Sequence, residues 1–179
     1  MSDSNRDIRV VLTREEMSTA AQGASMRWQL ARAAGVGNQK HDDSRDDSAI
    51  DLLGIKAEMA VANAYQLTHS PFMCGVDTGS DMFSGSIGLD VKAAFTRDGN
   101  LLFKKLSSFK ADVGVLAVLG EEEDVIIIRG WVTQTRFYKD AKTIKVGDTG
   151  RAMVLSHTKL SAPETLWRYL TQLRTGVAA

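Results

Sequence analysis

Cysteine is almost absent from this chain: Cys74 stands alone among 179 residues, so no intramolecular disulfide can form. The three histidines, His41, His69 and His157, are too far apart in sequence to show a metal-ligand spacing. No apolar run approaches the roughly 18 residues that a membrane helix needs. The opening "MSDSNRDIRVVL" is polar and lacks the apolar stretch of a secretory signal. These absences predict a soluble protein of a reducing compartment, the cytoplasm, with no membrane partner. An excess of charge of one sign is missing too, with 22 Lys and Arg against 22 Asp and Glu. At 179 residues and 44% hydrophobic, the chain can bury one core and is short for two, so a single domain over 1–179 is expected.

The balance of charge hides an asymmetry. Residues 1–91 carry 8 Lys and Arg against 13 Asp and Glu, a net of −5, while residues 92–179 carry 14 against 9, a net of +5. A neutral protein can therefore carry a local basic surface, and the local field governs polyanion binding more than the total does. Solvated faces account for the same counts equally simply.

"TREEMSTAAQGASMRWQLARAAG" places Thr13 three residues before Glu16, a capping-box spacing, and stays rich in helix formers up to Gly35. It predicts a helix over about 13–34. "GVGNQKHDDSRDDS" has glycines and acids without apolar periodicity, and predicts a mobile acidic loop over 35–47. A second helix is predicted from near Ser48 to about Leu67, with Leu53, Ala57, Val61 and Ala64 on its core face. From residue 80 the period becomes strand-like. About five strands are expected from "DMF", "IGLDVKAAF", "NLLFKKLSSF", "DVGVLAVL" and "DVIIIRGWVT", the last nearly continuous in apolar residues, as in a central strand covered on both faces. "LSAPETLWRYLTQLR" restarts a helix with Leu166, Leu170 and Leu173 on one face. The order helix, helix, strands, helix predicts an α/β fold, a mixed sheet of about five strands flanked by helices.

The chemistry concentrates in "DMFSGSIGLDVKAAF", residues 81–95. In a strand Asp90 and Lys92 share one face while Leu89, Val91 and Ala93 share the other. If Gly85 and Ser86 are the central pair of a type II′ turn, residue 84 pairs with 87 and Asp81 falls opposite Asp90. A three-residue loop instead sets Asp81 opposite Leu89. Opposed carboxylates about 5 Å apart destabilise a hairpin unless compensated. Lys92 compensates in part. A divalent cation compensates better, since two carboxylates with waters and phosphate oxygens are how Mg²⁺ is commonly held. An exposed charge cluster on an ordinary hairpin fits this stretch equally well. Upstream, Glu58 lies mid-helix with Gly54 and Ala62 one turn to either side, small residues that let a helix approach a sheet and aim the acid at it.

A helical Glu58, then Asp81, then Asp90-x-Lys92 on the second strand of a hairpin resembles the PD-(D/E)XK nuclease superfamily over roughly residues 48–133, a catalytic core of restriction-endonuclease-like type. "GWVTQTRF" looks like the sheet edge of small phage-encoded relatives. Ser80 stands where the motif has proline, and Asp77 rivals Asp81 as the first acid. The resemblance implies a metal-dependent endo- or exonuclease acting on DNA phosphodiester bonds, in repair, recombination, packaging or defence. Mg²⁺ or Mn²⁺ would be held by Asp81, Asp90, the Val91 carbonyl and Glu58, and Lys92 would position the attacking water. DNA is the implied partner, with Arg97, Lys104, Lys105 and Lys110 as candidate contacts and Arg136, Lys139, Lys142 and Lys145 further on. A homodimer or larger nucleoprotein assembly is compatible, as is a host cytoplasm for a viral chain. Two other expectations stand beside this one: a non-catalytic DNA-binding or interaction protein keeping the nuclease fold, and a structural component of a larger particle. Trp28, Trp131 and Trp167 are expected in the core more than on bases.

Overall fold

The computed structural model describes residues 7–33, 35, 46–72, 79–146 and 150–175. The predicted acidic loop, Cys74 and Asp77 lie mostly or wholly outside these residues. Eight strands and four α-helices follow in chain order among the described residues, besides short 3-10 turns at Leu106–Ser108 and His157–Lys159: β1 (Ile8–Val11), α1 (Arg14–Ala33), α2 (Asp47–Tyr65), β2 (Met82–Ser84), β3 (Ile87–Ala94), β4 (Leu101–Phe103), β5 (Val113–Leu119), β6 (Val125–Thr133), α3 (Gln134–Asp140), β7 (Lys142–Val146), β8 (Gly150–Leu155) and α4 (Glu164–Thr175).

The capping box at the start of α1 forms as its spacing requires: the Thr13 N–H donates to Glu16 Oε2 at 2.7 Å and the Glu16 N–H to Thr13 Oγ1 at 3.2 Å. α2 buries Leu53, Ala57 and Val61, with Ala64 packed at the margin of the same core. It ends at Gln66, whose left-handed φ of 53° lets its N–H reach the last carbonyls of the helix. Gly23 on α1 is a close-approach glycine, since a Cβ there would sit 2.9 Å from the Pro71 carbonyl oxygen.

The main sheet has five strands in the order β1-β6-β5-β3-β2; β3 and β5 are parallel and the other neighbours antiparallel. This is the mixed α/β sheet that the residue pattern predicts. "DVIIIRGWV" becomes β6, paired on both edges. A bulge interrupts it: Leu116 pairs with Gly130 and Ala117 with Ile128, which leaves Arg129 as the extra residue.

Two layers cover the sheet. On one face α2 and the Leu166 and Leu170 side of α4 enclose a core with Leu89, Val91, Val115 and Ile128. Leu173, predicted on that side of α4, is instead exposed. On the other face a second, three-stranded sheet, β4-β8-β7, and α3 close over Leu116, Val118 and Val132. Phe103, Phe109 and Phe137 knit this layer, with the first two rings stacked at 4.2 Å and Phe137 edge-on to both.

Three details differ from the reading of the sequence. "LLF" is a strand of the second sheet, and its place in the main sheet is taken by β1, a four-residue edge strand too short to stand out by periodicity. The second sheet's β7 and β8 went unread because β7, "KTIKV", is almost wholly exposed and shows no apolar alternation. "GWVTQTRF" is not a continuous sheet edge: Thr133 caps a helix by accepting from the Arg136 N–H at 3.3 Å, so the strand stops there and α3 begins. Of the tryptophans, Trp131 is buried, Trp28 is half-buried and Trp167 is exposed.

Candidate active site

The β2–β3 hairpin turns on Gly85 and Ser86, with Ser84 paired to Ile87, Phe83 to Gly88 and Met82 to Leu89. Gly85 takes a φ of 64°, as the first central residue of a type II′ turn requires. The two-residue loop fixes the register up to Met82 and Leu89. Beyond it the Asp81 N–H donates to the Leu89 carbonyl at 2.8 Å, so the ladder does not extend to the Asp81–Asp90 pair that the turn predicts, although the two carboxylates are near enough for their charges to interact. The hairpin is anchored to the sheet by Asp112, which accepts the Gly88 N–H at 2.8 Å through Oδ2 and returns its own N–H to the Gly88 carbonyl at 3.0 Å.

Asp90 is buried at 5% exposure in the middle of β3, between β2 and β5. Lys92 Nζ donates to Asp90 Oδ1 at 2.5 Å and sits 4.9 Å above the centre of the Phe103 ring. The Lys92 side chain keeps 38% of its surface in solvent, so the amine has access to an incoming ligand while its far side is held by the acid and the ring.

Asp81 is exposed as a residue, yet its carboxyl turns inward and Oδ2 accepts the Val91 N–H at 2.6 Å. Burial of that carboxyl, then the negative charges of Glu58 and Asp90, push it up to about 7 against the Val91 hydrogen bond and the Lys92 charge. Water still reaches the residue, so the neighbouring charges are the part of the shift that a bound cation would reverse.

Glu58 projects from α2 and is itself buried. Arg27 of α1 grips it with both terminal nitrogens, at 3.0 Å to Oε1 and 2.8 Å to Oε2, and His69 Nε2 lies 2.7 Å from Oε2. Burial alone would raise this carboxyl; the hydrogen bonds from His69 and Arg27, and the charge they bring, outweigh it and hold it below the usual carboxylate range. Glu58 therefore contributes its charge to the field at Asp81 while both of its oxygens are engaged.

Asp81 bonds to the Val91 N–H, Asp90 to Lys92, and the charges of Glu58, Asp90 and Lys92 all reach Asp81, while the direct Asp81–Asp90 pairing is not part of the strand ladder. Arg27 and His69 were missed. His69 follows the end of α2 in "LTHS" and Arg27 lies inside an Ala-rich helix, and no motif links either to Glu58. Among the described residues no three His, Cys, Asp or Glu side chains form a ready cage for a metal. Two carboxylates, a carbonyl and waters remain a sufficient donor set for Mg²⁺.

The candidate DNA contacts divide. Lys104 and Lys105 follow directly on Phe103, and Lys110 lays its stem against Gly79, two residues before Asp81. Arg97 instead turns toward Asp7, 3.9 Å away. Arg136 is spent on structure, donating to the Lys159 carbonyl at 2.6 Å and to Ser161 Oγ at 2.9 Å. No helix among the described residues is long and apolar enough to cross a membrane. No protein-family model matches the chain, and no curated protein matches it in sequence.

Proposed function

We propose that the chain is a metal-dependent deoxyribonuclease of the PD-(D/E)XK kind, hydrolysing DNA phosphodiester bonds in the cytoplasm. What supports this reading is the hairpin end where Asp81 accepts the Val91 N–H at 2.6 Å, Lys92 Nζ lies 2.5 Å from Asp90, and the charges of Glu58 and Asp90 add to burial in pushing the Asp81 carboxyl up to about 7. Crowded carboxylates of this kind gain most from a cation, so the donor set fits Mg²⁺ or Mn²⁺ held by Asp81, Asp90 and the Val91 carbonyl. When bound, such an ion supplies charge stabilisation to the phosphate and acidity to a water.

The chain's own residues do the rest. Asp90 holds the Lys92 ammonium in place. Lys92 would orient by a hydrogen bond the water whose oxygen bonds to phosphorus as the P–O bond to the leaving strand breaks, the water's proton passing to solvent and the leaving oxygen taking one up from it. Val91 orients Asp81 through its N–H. Glu58 is kept ionised by Arg27 and His69 and maintains the negative potential that favours a cation.

The engagement of both Glu58 oxygens by Arg27 and His69 also suits a second reading, a non-catalytic DNA-binding protein on a nuclease-like fold. Incubation with linear, nicked, single-stranded and branched DNA in Mg²⁺, Mn²⁺ or EDTA separates the two. The nuclease reading expects cleavage that needs metal and disappears in Asp90→Ala and Lys92→Ala. DNA binding without cleavage of any substrate selects the second.

A further inference from the structure

The second sheet sets two cations directly across from each other. Lys145 on β7 is directly paired with Arg151 on β8, and both are exposed. Opposed like charges at a Cβ separation of about 5 Å destabilise a hairpin. Neither residue enters an ion pair among the described residues, and the same holds for Lys104 and Lys105. A lysine on an edge strand such as β7 has an ordinary use, in blocking unwanted strand pairing. At Arg151 the ladder with β4 has ended, since β4 pairs only with Met153–Leu155, so β7 and β8 run on here as two strands.

The sheet leads from this pair to the candidate active site. Lys92 sits over Phe103 of β4, Phe103 pairs with Met153 of β8, and Met153 pairs with Thr143 of β7. Side chains two apart share a face. Arg151 is therefore on the face of Met153 and Phe103, and Lys145 is on that of Thr143. Strand spacing and rise put Arg151 and Lys145 roughly 8 and 12 Å from Phe103. β4 ends at the same end of the sheet, where Lys104 and Lys105 leave it exposed. Lys145 and Arg151 thus share the face of Phe103, over which Lys92 sits, and Lys104 and Lys105 lie at the same end of the sheet.

We infer that the β7–β8 ribbon is a phosphate-gripping arm that lies along the backbone of duplex DNA beside the scissile bond, with Lys145 and Arg151 as its contacts; the choice of DNA as occupant rests on the proposed nuclease function. Two adjacent cations with no ion pair among the described residues match a polyanion, and a two-stranded ribbon has the dimensions to follow a DNA groove.

The test is duplex binding in EDTA, where no cleavage occurs, followed by fluorescence anisotropy over a series of NaCl concentrations. The double variant Lys145→Ala with Arg151→Ala is expected to bind about tenfold more weakly, with a salt slope reduced by about 2, since each lost phosphate contact removes about 0.9. Lys145→Glu guards against misfolding: it sets an acid opposite Arg151, so it should melt no lower than wild type and still lose affinity. Arg168→Ala, an exposed cation on α4 across the main sheet, should bind as wild type does. No duplex binding by wild type, or wild-type affinity and slope in both ribbon variants, overturns the arm. Metal-dependent cleavage by wild type with unchanged ribbon variants removes the arm and leaves the nuclease standing; binding through the ribbon without cleavage on any DNA does the reverse.

Discussion

Two hairpins in this molecule gather like charges, and they handle them in opposite ways. At the end of β2–β3, Asp81 accepts the Val91 N–H and Asp90 accepts Lys92 Nζ, and burial, joined by the charges of Glu58 and Asp90, raises the Asp81 carboxyl. On β7–β8, Lys145 and Arg151 face each other in solvent, where the repulsion is screened and costs a fraction of a kcal/mol. The difference is burial. A partly enclosed pair of carboxylates can be satisfied by one small cation, whereas an exposed pair of ammonium and guanidinium groups suits a long polyanion that stays hydrated.

The comparison breaks most severely at Lys92. Lys92→Ala should lower metal-dependent cleavage about a hundred- to a thousandfold, the usual cost of removing one preorganised polar group from a reacting centre, in a single-turnover assay. Lys145→Ala in the same assay should keep its rate at saturating DNA and lose only affinity. Equal losses in the two variants would show that the hairpins do not divide the work as described.

Arg27→Ala comes next. It leaves Glu58 buried with His69 alone, and because the Arg27 side chain is 29% exposed, the loss should be about 2 kcal/mol, below the range for a fully buried pair. Urea denaturation measures it. Pairing the change with Glu58→Gln should restore part of the loss, since no charge is then stranded. An additive double variant would mean that Arg27 supports α1 by packing and does not serve the acid.

The pH dependence of melting is subtler. Folding pushes the Asp81 carboxyl up from its ordinary 3.8 to about 7, by burial first and the charges of Glu58 and Asp90 second, so over this window the folded protein binds the extra proton. The stability it contributes is present below 3.8 and is lost as pH rises through about 7. Asp81→Asn should flatten this part of the Tm profile and raise Tm at pH 8, and Mn²⁺ should raise the wild-type Tm at that pH and leave the variant unmoved. The smallest effect belongs to the exposed pair: Lys145→Glu should raise stability by about 0.5 kcal/mol, and high salt should erase the gain.

Legibility in the sequence followed locality. The hairpin register was readable because two adjacent small residues, Gly85 and Ser86, decide it, and a change of one residue in loop length would have moved every partner. α1, α2 and β6 were readable from capping and apolar period. What could not be read depends on contacts distant in sequence. Arg27 and Glu58 are 31 residues apart, and nothing in either segment encodes their meeting. β1 joins β6 from the far end of the chain, pairing Ile8 with Ile128, and the second sheet is built from strands too short or too polar to announce themselves. The acids of the site were visible because one hairpin carries them, while the groups that tune Glu58 arrive through tertiary packing.

The most direct measurement is isothermal titration of the metal-free protein with Mn²⁺ at pH 7, repeated in two buffers of different ionisation enthalpy. The account predicts saturable binding with net proton release, because Asp81 must give up its proton to the incoming cation, and loss of binding in Asp90→Ala. Absence of binding by wild type, or binding unchanged by Asp90→Ala, would contradict it.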